Sequence, residues 1–132
     1  MLSLVPRCNH FVQIGSLAAY RPSPTPGNAL YAASKAAALP LLEHYRACVT
    51  ERGLTTRVTL VSPVFIRDMG FGSRFFESRP EASVDLFANV PALTPTAVAE
   101  AVVRVLESDP AIQIRDLVIE PWRWSGLGPA RT

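Results

Sequence analysis

The sequence predicts an α/β fold with about three parallel strands and two main helices. Three observations carry this reading. Short apolar, β-branched runs (HFVQI, LTTRVTLVSP, IQIRDLVIEP) alternate with long alanine- and leucine-rich stretches. The order strand, helix, strand favours a parallel, right-handed crossover. A chain of 132 residues, 48% of them apolar, can bury one core, so a single domain over residues 1–132 is expected.

HFVQI, residues 10–14, reads as a buried strand that ends at Gly15-Ser16. RPSPTPGNA, residues 21–29, follows. Its three prolines and one glycine rule out a helix or a central strand and mark a loop. From Asn28 to Arg52 a long helix is expected, with Asn28 as N-cap and Gly53 just past its end. Pro40 cannot donate to the carbonyl of Ala36, so it should kink or divide that helix downstream of Tyr31 and Lys35.

LTTRVTLVSP, ending at Pro63, completes a strand–helix–strand unit over residues 11–62. Residues 63–93 contain Gly70, Gly72, Phe75, Phe76, Pro80 and Pro91 without sustained periodicity, as expected of a substrate- or cofactor-binding loop with one short helix. Thr94-Pro95 opens the next helix with a capping hydroxyl and a first-turn proline, and Ser108-Asp109-Pro110 closes it. IQIRDLVIEP is the last strand, so residues 94–121 form a helix–strand unit. Residues 122–132 are a polar tail.

Bulk properties narrow the function classes. The formal charge is only +2 and the arginines are scattered, so no nucleic-acid partner is expected. Cys8 and Cys48 lie far apart with no second pair and no His at ligand spacing, which argues against a disulfide framework or a metal site and for reduced thiols in a cytosol. Pro6, Arg7, Asn9, His10 and Gln13 interrupt the N-terminal apolar residues. Neither a signal peptide nor a membrane span is therefore expected, and the localisation expected is cytoplasmic.

Lys35 is the only lysine among thirteen basic residues, and it lies four residues after Tyr31 on the expected helix. That spacing puts both side chains on one face. An isolated tyrosine ionises near pH 10 or so and shuttles protons poorly at neutral pH, whereas an adjacent ammonium stabilises the phenolate. Tyr31 could then serve as a general acid or base. Ser16, leaving the C-terminal end of the first strand, is placed to hydrogen-bond a substrate oxygen, since ligands of open parallel sheets bind beyond that end. A Tyr and a Lys at this spacing also arise on helices with no chemical role. His10 and His44 are expected as surface or packing residues. QIGSLAA lacks the G-x-S-x-G elbow of a serine hydrolase, and Ser34-Lys35 lacks the S-x-x-K spacing of penicillin-binding enzymes. Without a basic groove, Trp122 and Trp124 are expected at a subunit contact rather than stacked on a base.

IGSLAAY, then YAASKAAAL, then RVTLVSPVFI, in that order, resembles the C-terminal half of a short-chain dehydrogenase/reductase, a family marked by a Ser followed by Y-x-x-x-K. TPTAVAEAVVRVLES and DLVIEP resemble that family's last helix and strand. The resemblance implies a partial, Rossmann-like doubly wound fold whose N-terminal half is missing. It implies an oxidoreductase using NAD or NADP on a small-molecule alcohol/carbonyl pair. Tyr31 would exchange the proton, Lys35 would support its phenolate and hold the nicotinamide ribose, and Ser16 would position the substrate oxygen. Pro63, Val64, Phe65 and Ile66 would meet the nicotinamide end of the cofactor.

Four departures accompany the resemblance. Val64 stands where the family usually has glycine, and Arg67-Asp68 stand near its usual threonine. No glycine-rich pyrophosphate turn occurs in these residues, nor the residue that separates NAD from NADP. The alternative to an oxidoreductase is a non-catalytic remnant or interaction module that binds no dinucleotide. Phe65, Phe71, Phe75 and Phe76 suggest an apolar substrate, though such residues also pack on cores. A three-stranded parallel sheet leaves an apolar edge and face, so a homo-oligomer or self-association is expected.

Overall fold

β-branched residues shape the central strand first. The computed structural model describes residues 9–24, 27–67, 70 and 90–122. β1 (His10–Ile14) pairs in parallel with β2 (Arg57–Pro63), in register from His10 with Arg57 to Ile14 with Val61. β2 pairs in parallel with β3 (Asp116–Ile119), from Leu60 with Asp116 to Pro63 with Ile119. The strand order is therefore β1-β2-β3, and β2 is central. Val58 to Pro63 are all buried, as a parallel strand covered on both faces requires.

One cover is the segment carrying Tyr31 and Lys35. It divides into α1 (Asn28–Ala36) and α2 (Ala38–Glu51) at Ala37. The break falls where Pro40 dictates, because Ala36, whose carbonyl the proline ring opposes, is the last residue of α1. Leu42 and Val49 of α2 pack with Val58 and Leu60 of β2 in the main core cluster. Phe11 and Tyr45 join it edge to face, with ring centroids 5.4 Å apart. Gly53, at φ 62°, follows α2 in the left-handed region, as the sequence led one to expect.

The start of α1 differs from expectation. The capping position is Gly27, at φ 82°, and Asn28 is the first helical residue. Asn28 is buried, and its amide donates to the carbonyl of Ser23 at 3.0 Å, so it ties down the proline-rich loop instead of capping the helix.

The second cover is α3 (Pro95–Leu106), which packs against β2 with Val98 and Val105 buried. Thr94 caps it, accepting a hydrogen bond from the Ala97 amide at 3.1 Å, with Pro95 at the first helical position. Its C-terminal carbonyls find a partner that the sequence did not announce. Arg57 donates to the carbonyls of Leu106 (3.2 Å), Ser108 (3.1 Å) and Asp109 (3.3 Å) and to the Ser108 hydroxyl (2.8 Å).

β3 is shorter than the run 112–121 suggests, because side chains replace its first backbone bonds. The amide of Val58 donates to Gln113 Oε1 at 3.0 Å, and Gln113 Nε2 donates to the Val58 carbonyl at 2.9 Å. Arg46, nine-tenths buried, adds bonds to the Val58 carbonyl (3.1 Å), the Arg115 carbonyl (2.5 Å) and Asp116 (3.1 Å). Glu43 joins Arg46 and Arg115. Among the described residues no helix is long and apolar enough to cross a membrane.

Candidate active site

The C-terminal ends of β1 and β2 gather most of the residues singled out in the sequence. The ladder continues one residue past β1, where the Gly15 amide donates to the Val61 carbonyl at 2.8 Å. Ser16 then turns the chain into a short 3-10 helix, Leu17–Ala19. Its hydroxyl oxygen accepts from the Ala18 amide at 3.2 Å, which leaves the hydroxyl proton to be donated to a ligand. Leu17 is buried and anchors the turn. α1 packs directly against this turn, so the element carrying Ser16 adjoins the one carrying Tyr31 and Lys35.

On α1, Tyr31 and Lys35 are both half-buried. Lys35 Nζ lies over the Tyr31 ring, 5.6 Å from its centroid, within the range of a cation–π contact. Ser34 donates to the Tyr31 carbonyl at 2.7 Å, and Ala32, one residue after Tyr31, is buried. The single ammonium of the chain thus sits against the one phenol at Y-x-x-x-K spacing.

Pro63 is buried at the end of β2, and Val64, Phe65 and Ile66 are half-buried beyond it. Their backbone is largely committed. The Val64 amide donates to the Ile119 carbonyl at 3.0 Å, and the Phe65 carbonyl accepts from the Leu93 amide at 2.9 Å. Ile66 and Leu93 form an isolated parallel bridge. Most of the expected loop, including Phe71, Phe75 and Phe76, lies outside the described residues, as do Cys8 and Trp124. Trp122 is 89% exposed.

The sequence reading missed the groups that pin this region. A Cβ at Gly15 would come within 2.7 Å of Ser62 Oγ and 2.8 Å of Leu60 Cδ1, so only glycine fits between the Ser16 turn and β2. Arg21, just past the turn, pairs with Glu120, just past β3, at 3.1 Å. Burial, with the Asp116 carboxylate adding to it, pushes the Tyr20 phenol up. Only Gly15-Ser16 hinted at this in the sequence, as a small residue at a strand end. Among the described residues no group of three or more His, Cys, Asp or Glu side chains could hold a metal ion.

A scan against protein-family models gives no match. Among curated proteins, the chain is 30% identical over 112 residues to "Dehydrogenase/reductase SDR family member 11" of Bos taurus, and 30% identical to the protein of that name of Homo sapiens. Each match covers 85% of this chain, but 44% of the bovine and 43% of the human protein, so the chain spans less than half the length of these relatives. A solved structure of the closed form of serine dehydrogenase complexed with NADP+ superposes with a TM-score of 0.74 at 28% identity, covering 93% of this chain and 49% of that one. Serine dehydrogenase from Escherichia coli gives a TM-score of 0.60 at 26% identity, over 85% and 39%. Three parallel strands, a divided helix and a following helix give the chain a partial Rossmann-like fold, and these similarities support a partial short-chain dehydrogenase/reductase.

Proposed function

We propose that the chain carries the proton-transfer half of an NAD(P)-dependent oxidoreductase acting on an alcohol/carbonyl pair. The observation that carries this reading is the Lys35 ammonium over the Tyr31 ring, on a helix packed against the turn that presents Ser16. Ser16 donates its remaining proton to the substrate oxygen and orients it. Tyr31 takes the hydroxyl proton during oxidation and returns it during reduction, and Lys35 holds the nicotinamide ribose.

The residues present fit the nicotinamide end of such a cofactor. Lys35 would offer three donors to a ribose diol, and Pro63, Val64, Phe65 and Ile66, at and beyond the C-terminal end of β2, would meet the nicotinamide end. The Val64 amide is already spent on Ile119, so at that position contact is by side chain. When bound, the nicotinamide supplies the carbon that takes or gives hydride. The described residues favour neither NAD nor NADP. The NADP+ complex of serine dehydrogenase supports a dinucleotide of this class.

The alternative is a non-catalytic module that binds no dinucleotide. Titrating the purified chain with NADH and NADPH, followed by nicotinamide fluorescence, separates the two. Saturable binding supports the oxidoreductase, whereas no binding at millimolar cofactor supports the alternative for this chain.

A further inference from the structure

The turn that presents Ser16 is tied down at both ends, to two different strands. At its start, the Gly15 amide donates to the Val61 carbonyl at 2.8 Å, and Gly15 lies so close to Ser62 that no Cβ fits. At its end, the Tyr20 and Arg21 amides both close back on the Leu17 carbonyl, at 2.9 and 3.0 Å. Arg21 then reaches out of the turn. Its Nη2 donates to Glu120 Oε2 at 3.1 Å, between residues 99 apart in sequence.

Glu120 belongs to the opposite edge of the sheet. It directly follows β3, whereas the turn follows β1, and β2 lies between them. Neighbouring strands are about 4.8 Å apart, so the pair closes a gap of roughly 10 Å across the C-terminal end of β2. The Glu120 side is itself anchored, because the preceding Ile119 carbonyl accepts from the Val64 amide at 3.0 Å. The ion pairs of Glu43 and Asp116 with Arg46 and Arg115 gather instead at the start of β3, so the Arg21–Glu120 pair stands apart from them. Its side chains are 63% and 37% exposed. Such a pair adds little to global stability, and its effect falls on the local segment that it holds.

We infer that Arg21 and Glu120 are positioning residues for Ser16: their ion pair straps the turn after β1 to the end of β3 and keeps the Ser16 hydroxyl in place beyond the strand ends. The value of the strap for catalysis rests on the role proposed for Ser16, but its existence does not. The Ser16 oxygen is held by the Ala18 amide at 3.2 Å, and that bond lasts only while the turn stays closed.

The experiment is amide exchange on the full chain, which needs neither turnover nor cofactor. Glu120→Ala leaves the turn's own residues untouched. It is expected to speed exchange of the Ala18 and Tyr20 amides by roughly two- to fivefold, the worth of an exposed ion pair. The Leu60 amide, which donates to the Arg115 carbonyl in the centre of the sheet, is expected to keep its native rate. Raising the salt concentration is expected to speed exchange of the two turn amides in the native chain but not in Glu120→Ala, because salt screens exposed charges. The reversed pair Arg21→Glu/Glu120→Arg is expected to bring the rates back towards native. In a form of the protein that turns over, Glu120→Ala is expected to lower kcat and leave KM for the cofactor unchanged. Turn amides that exchange at the native rate in Glu120→Ala overturn the proposal. So does equal acceleration of the Leu60 amide, which would mark a general loss of packing. Absence of cofactor binding by the native chain would count against the reading of Ser16 alone, since the exchange rates decide the strap without it.

Discussion

Thr59 Oγ1 donates its proton to the carbonyl of Ile114 at 2.6 Å, so the 2.8 Å bond between Thr59 Oγ1 and His10 Nε2 must have the imidazole as donor. This relay crosses all three strand positions, from β1 through β2 to the residues before β3. It also fixes the tautomer of His10.

Burial, with the Arg57 guanidinium beside it, pulls the His10 imidazole below its ordinary range. A group whose folded value is depressed adds stability that is present above its unfolded value, near pH 6.5 or so, and lost as the pH falls below it. The native chain is therefore expected to lose urea resistance between neutral and mildly acidic pH faster than His10→Gln, which keeps a donor but cannot titrate there. A constant difference between the two midpoints across that range would refute the assignment.

Arg57, half-buried at the start of the central strand, should be costly to remove. Arg57→Ala strips the Leu106 carbonyl at the end of α3, and those of Ser108 and Asp109 just past it, of their donor and is expected to cost about 2 kcal/mol in chemical denaturation. Arg57→Lys should recover little, since a compact ammonium cannot reach several carbonyls as the fork does. Full recovery by lysine would show that charge alone is at work.

Arg46 holds α2 to the start of β3. Arg46→Met takes the donor from the Val58 and Arg115 carbonyls and is expected to destabilise the fold by about 2 kcal/mol. Bonds from Arg115, then Arg46, hold the Glu43 carboxyl below its usual range, so its contribution fades as pH falls through the carboxylate region. Acid titration of the double variant Arg46→Met/Arg115→Met should lack that step, because both guanidinium partners of Glu43 are then gone. A variant as acid-sensitive as the native chain would contradict it.

Tyr31→Phe is expected to lower kcat by about 100-fold or more in any form of the protein that turns over, because the proton acceptor is lost. Lys35→Arg should raise KM for the cofactor, since a planar fork replaces the compact ammonium over the Tyr31 ring. Intact turnover in Tyr31→Phe would remove Tyr31 from the mechanism.

The outer edge of β1 has no strand beside it among the described residues, and Ile14 at its end is 44% exposed. The 132-residue chain is therefore expected to self-associate in sedimentation. A monomer with one sharp thermal transition would count against this.

Local chemistry made much of this protein legible in its residues. The β-branched runs announced β1 and β2, Thr94-Pro95 announced the start of α3, Pro40 announced the division of the helix, and Gly53 its end. Tyr31 and Lys35 could be placed on one face because a helix repeats every 3.6 residues whatever surrounds it. These features depend on neighbours in sequence, so the sequence alone determined them.

The tertiary fold decided where long side chains found their partners. Asn28 left its expected cap for the Ser23 carbonyl, and Gln113 displaced backbone at the start of β3. Arg46 and Arg57 reached carbonyls tens of residues away. Gly15 proved indispensable only once Ser62 was beneath it. Such contacts join residues that are distant along the chain, and burial sets their strength. Periodicity and propensity carry no information about either, so only the packed structure could choose them.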